Sequence, residues 1–172
     1  TALGARIGTN SQRLSSLTTD SAGTLTVNAV EIHTTGGQTY NDPATLNNNL
    51  TATSSSGGDI TFASTLDDDV PAGDAALDIQ TSGTTILGGA IGGITALTSL
   101  TTDGDGSTEL SGGSIETTGS QRYNDAVTIG ADTVLTGTTV ANASTLDGTS
   151  SGTEALTIGG DAVISGTVGG TT

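Results

Sequence analysis

The chain predicts an all-β fold, a right-handed parallel β-helix with uncapped ends, and three observations carry that expectation. The first is duplication. Ile32-His33-Thr34-Thr35-Gly36-Gly37-Gln38-Thr39-Tyr40-Asn41-Asp42 returns 83 residues later as Ile115-Glu116-Thr117-Thr118-Gly119-Ser120-Gln121-Arg122-Tyr123-Asn124-Asp125. Leu14-to-Asp20 recurs as Leu97-to-Asp103 at the same offset, and Ala63-to-Asp67 as Ala143-to-Asp147 at an offset of 80. Such self-similarity marks units that stack on one another to bury a shared core. The second observation is short apolar alternation. The third is an interior starved of bulk, with no Trp, one Phe (Phe62) and two Tyr (Tyr40, Tyr123).

Taken along the chain, the alternating pairs are Leu25/Val27, Val30/Ile32, Ile60/Phe62, Leu77/Ile79, Ala131/Thr133/Leu135 and Leu156/Ile158. Period-two patterning over four or five residues, bounded by Gly, Asn, Asp and Ser, reads as short half-buried strands. Threonine suits them, because its β-branched side chain fits the pleat and its hydroxyl bonds across strands. Helix formers are confined to pieces such as Ala75-Ala76-Leu77. Three short strands per turn imply about 20 residues per turn, about four turns per copy, and a rod roughly 40 Å long at about 4.8 Å per rung. The competing fold is a pair of tandem immunoglobulin-like β-sandwiches, which normally needs a bulkier core.

The two copies divide at residue 90, giving 1–90 and 91–172, both within one continuous solenoid. The end Val168-Gly169-Gly170-Thr171-Thr172 followed by the start Thr1-Ala2-Leu3 nearly rebuilds the internal junction Ile91-Gly92-Gly93-Ile94-Thr95-Ala96-Leu97. The chain therefore reads as part of a longer array, or as a subunit that stacks head to tail on neighbouring copies of itself.

Composition narrows the function classes. Three Arg (Arg6, Arg13, Arg122) and no Lys face fourteen Asp and four Glu, for a net charge of −15. Nucleic-acid binding needs clustered cations and is not expected. Nor is an anionic membrane surface. No apolar run exceeds a few residues, so no membrane insertion is expected. Without Cys or Met the chain has no disulfides or thiol chemistry and little to oxidise, which suits a long-lived extracellular polymer.

Few residues suggest a site, and none suggests catalysis. Asp103-Gly104-Asp105-Gly106-Ser107-Thr108-Glu109 places carboxylates around glycines as calcium loops do, making Asp103, Asp105 and Glu109 candidate ligands. The pattern lacks the flanking helices and twelfth-position Glu of the helix–loop–helix site, and it equally describes an Asp-Gly turn. Calcium is the sole cofactor implied. Asp67-Asp68-Asp69, with Pro71 and Asp74, reads as a protruding solvated loop. His33 falls on the outward phase of its strand, with no second His or Cys to join it as a ligand. Tyr40/Tyr123 are expected to pack at corners that Asn41-Asp42 and Asn124-Asp125 turn.

The Thr34-to-Asp42 and Thr117-to-Asp125 segments, Leu17-to-Asp20 and Leu100-to-Asp103, and the Gly92-Gly93 and Gly169-Gly170 junctions resemble the repeats of large bacterial surface proteins related to filamentous haemagglutinin. The resemblance covers essentially the whole chain. It implies a secreted or cell-surface fibrous protein with a β-solenoid shaft, and it brings no catalytic residues. The expected role is a non-catalytic structural rod segment of an extracellular bacterial filament, sheath or adhesin. The alternatives are an adhesin module binding glycan or another cell through its outer face, and a polysaccharide-active β-helix enzyme. The enzyme would need a cationic or metal centre and a cleft, for which three scattered Arg and the lack of long insertions offer little. Ice binding would need a regular Thr-x-Thr array; Thr24-x-Thr26, Thr51-x-Thr53 and Thr136-x-Thr138 do not recur at constant spacing.

Overall fold

Every strand pairing among the described residues is parallel, and successive turns of chain hydrogen-bond to one another. The computed structural model describes residues 1–69, 74–150 and 152–170; Pro71 and Thr171-Thr172 lie outside them. The chain coils as a right-handed β-solenoid of about 7 turns, about 22 residues apart. No helix occurs among the described residues, and none is long and apolar enough to cross a membrane. Antiparallel sandwiches are thereby replaced by a single ladder.

Each turn contributes to three faces. The first face begins Ala2–Leu3, Leu25–Val27, Ala44–Leu46, Leu66–Asp68 and continues through bridges at Ile91 to Ser114–Glu116. The second runs Arg6–Ile7, Glu31–Thr34, Leu50–Ser54, Ala76–Thr81, Ser99–Thr102, Ser120–Tyr123. The third runs Leu17–Thr18, Gln38–Tyr40, Ile60–Phe62, Thr84–Leu87, Ser107–Leu110, Ala126–Ile129, Leu146–Gly148. The long strands Thr133–Asn142 and Leu156–Ile164 serve both first and second faces, with a register irregularity between Thr136 and Thr139.

Inward residues stack on like residues. Leu25, Ala44, Leu66, Ile91, Ile115, Leu135 and Ile158 form one aliphatic column. Another holds Tyr40, Phe62, Leu87, Leu110 and Ile129, in which the Tyr40 and Phe62 rings stack at 4.6 Å and 15°. That separation is the rung spacing itself, so aromatic stacking follows from strand register. Columns of Leu, Ile and Val need no larger filler in so narrow a tube. Val30 departs from the expected pattern: it lies in the bend before strand Glu31–Thr34 and is 46% exposed.

Turn length exceeds the expected 20 residues because the corners vary. Successive turns span 19 residues at Leu25↔Ala44 but 27 at Leu50↔Leu77. The duplication consequently does not close on whole turns. Strand Ser114–Glu116, the counterpart of Glu31–Thr34, lies eleven strand positions further on, or three and two-thirds turns. Ile32 is on the second face and Ile115 on the first; Tyr40 is on the third and Tyr123 on the second. The three-residue contraction between copies falls in one corner: residues 54–59 become residues 137–139.

The glycine junctions answer a backbone demand. Gly8, Gly92 and Gly169 have φ of 71°, 70° and 62°. A Cβ at Gly8 would strike the His33 carbonyl of the next turn, and one at Gly92 the Glu116 carbonyl, whereas nothing lies within 4 Å of Gly169. We predict that Gly92→Ala lowers stability by about 2 kcal/mol or more, from left-handed strain of roughly 1–2 kcal/mol plus displacement of the carbonyl. Gly169→Ala should lose only the strain. Urea denaturation of the two variants checks this; equal losses would contradict it.

Candidate functional site: buried acidic corners

The duplicated Thr-Thr-Gly-x-Gln-x-Tyr-Asn-Asp segment is an internal polar device. Gln38 is fully buried; its amide donates to the carbonyls of Ile32 (3.3 Å) and Thr53 (3.0 Å), while Tyr40 Oη donates to its Oε1 at 2.7 Å. Gln121 repeats the pattern, donating to Ile115 O (3.0 Å) and Thr136 O (2.9 Å) and accepting from Tyr123 Oη at 3.0 Å. Burial pushes both phenols up, and the Asp125 charge adds to the effect at Tyr123. They act as neutral donors. Asn41 and Asn124 then bind the preceding turn, each side-chain amide donating at 2.7 Å, to Thr19 O and Thr102 O.

The Asp that ends the segment is buried in both copies, Asp42 at 2% and Asp125 at 3% exposure. Asp125 accepts hydroxyls from Thr102 (2.8 Å to Oδ1) and Thr108 (2.8 Å to Oδ2). Burial raises its proton affinity, which those hydroxyls partly offset. Asp103, in the corner opposite, is also pushed up, first by burial and further by the charges of Asp125 and Asp105.

The three sequence candidates for calcium do not come together. Asp103 faces Asp125, Asp105 is exposed in the corner, and Glu109 lies on strand Ser107–Leu110, its Oε1 accepting from Ser111 Oγ at 2.6 Å. The only trio of acids among the described residues whose carboxylate oxygens lie within 4.8 Å of one another is Asp68, Asp69 and Asp74. That acidic run is not the protruding loop expected of it. Asp67 and Asp68 belong to strand Leu66–Asp68 and are 8% and 2% exposed. Asp68 accepts the backbone N–H groups of Asp69, Asp74 and Ala75, and Asp67 those of Ile94 (2.8 Å) and Thr95 (3.2 Å). These carboxylates pin corners. Alternation alone gave no sign of it, because the amides they bind come from elsewhere in the chain.

His33 is likewise not at the surface. It is 6% exposed, between Glu31 on its own strand (Nε2 to Oε2, 3.2 Å) and Thr53 on the next. Glu31 also pairs with Arg6 at 2.8 Å.

The outer surface offers little that resembles a binding face. All three aromatics, Tyr40, Phe62 and Tyr123, are buried. The outward row Thr18, Thr39, Thr61 gives way to Ile86, Glu109, Thr128 and Asp147, so the threonine ladder lasts three rungs. A concavity of about 620 Å³ lies at the C-terminal turn, lined by Ile129, Leu146, Leu156 and Val168 with Asp147 and Glu154. Hydroxyls of Thr149 and Thr153 hold Glu154 below the usual carboxylate range.

A pH prediction follows from Asp103 and Asp125. A carboxyl whose folded pKa lies above its unfolded value binds protons more tightly in the folded state, so stability falls as pH rises through that window. The melting temperature should therefore rise as pH is lowered from 7 into the range just above about 4. The Asp103→Asn/Asp125→Asn double variant should show a flatter profile. Calorimetry between pH 4 and 7 tests this, and parallel profiles would overturn it. Searches against protein families, curated proteins and solved structures found no match for the chain.

Proposed function

We propose that the chain is a non-catalytic structural rod segment of an extracellular bacterial filament, sheath or adhesin shaft. The observation that carries this reading is the ladder: the three faces extend through the successive turns around one continuous, mainly aliphatic core. A ladder running along a rod shares tension among many backbone hydrogen bonds, and buried backbone resists proteases, which need extended, unpaired chain. The acidic exterior keeps such rods dispersed. The haemagglutinin-like motifs support a surface location, and the same geometry suits end-to-end contact with neighbouring repeats. Calcium is not needed for this role.

Trypsin provides a test. Arg6 and Arg13 lie in the first turn, whereas Arg122 is held in strand Ser120–Tyr123 between Thr101 and Ala141. Native protein should lose at most its first thirteen residues and leave the remainder intact. Electron microscopy should show straight particles of uniform width. Rapid cleavage after Arg122, or irregular globules, would refute the rod.

A further inference from the structure

Asp42 and Asp125 occupy equivalent corners that differ in one decisive side chain. Both corners run six residues between matched positions, Thr19 to Leu25 in the first copy and Thr102 to Thr108 in the second. Asn41 clamps to Thr19, and Leu25 N–H donates to Pro43 O at 2.9 Å, which seats Asp42 directly beneath the corner of the preceding turn. In the second copy the Thr102 and Thr108 hydroxyls satisfy the carboxylate. In the first, Leu25 stands where Thr108 does, and the Thr19 hydroxyl, which accepts Asn41 N–H at 3.0 Å, makes no hydrogen bond to Asp42. Neither oxygen of Asp42 has a hydrogen-bond donor from the protein, although the residue is 2% exposed.

A buried carboxylate without donors is costly, and the cost is met by a counter-charge. No ion pair reaches it: Arg6 pairs with Glu31, Arg122 donates to Asn124, Arg13 is exposed, and there is no Lys. With a net charge of −15, the surroundings concentrate cations instead. We propose that Asp42 binds a small hard cation, calcium or sodium, in the corner above it, with Thr19 Oγ1 as an additional ligand. Carboxylate and hydroxyl oxygens select such ions over zinc or copper. The site is specific to the first copy. Threonine at position 108 makes the second self-sufficient. This inference is independent of the rod reading, since a globular or filamentous role would serve it equally.

The test uses the full chain in tetramethylammonium chloride with chelator, a cation too large for the corner. Adding calcium chloride or sodium chloride at constant ionic strength should raise the melting temperature saturably, by roughly 5–10 °C at a hundredfold excess over Kd. The ion effective at the lower concentration identifies the occupant. Asp42→Asn should abolish the rise, and Asp125→Asn should retain it. Leu25→Thr, which restores the missing hydroxyl, should also lose the response. No response in the wild-type chain would overturn the proposal. So would an undiminished response in Asp42→Asn.

Discussion

The structure depends on parallel registration between successive turns. Each strand donates and accepts along the axis, so a turn is positioned by its neighbours rather than by its own sequence. Once register holds, side chains must stack in columns one rung apart. Aliphatics on aliphatics, Tyr40 on Phe62 and the buried Gln–Tyr pairs are consequences of that geometry. It also makes the corners the weak points, because there the backbone leaves the ladder and its polar groups need other partners.

Side-chain oxygens provide those partners. Asp59 accepts from Thr84 N–H, Asn49 from Ala76 N–H, Asp132 from Ala155 N–H and Asp147 from Gly170 N–H. In each case an acceptor in one turn holds a corner of the next. Asn49 and Asp132 are counterparts in the two copies, as are Asp67 and Asp147. Part of the acidic composition is thus structural: some carboxylates cap backbone amides, and the rest give the exterior its charge.

The rotated duplication gives the solenoid an unusual surface. Because a copy advances three and two-thirds turns, equivalent residues occupy different sides. The Ile7-Gly8, Ile91-Gly92 and Val168-Gly169 corners fall on the second, first and third faces in succession. No single side carries the repeated features. The interior is indifferent to this rotation, since all three faces present small aliphatics inward and an inward Leu packs equally well from any of them.

The residue pattern alone revealed the parallel solenoid, the duplication and the aliphatic columns, because alternation and self-similarity are local properties of the chain. Leu25/Val27, Ile60/Phe62 and Leu77/Ile79 all point inward as their spacing requires. Turn length was harder to read, since the corners differ and nothing local marks how far a corner reaches. The acidic sites were least legible. Asp103, Asp105 and Glu109 look like a loop in sequence, yet their neighbours are set by contacts between turns, which place Asp125 beside Asp103. Asp67, Asp68 and His33 were assigned to the surface because charge usually is. Only the folded chain brings the Ile94 and Thr95 amides to Asp67, returns those of Asp74 and Ala75 to Asp68, and puts Thr53 beside His33. Burial of a polar group is decided by its partners, and in a solenoid those partners lie a full turn away.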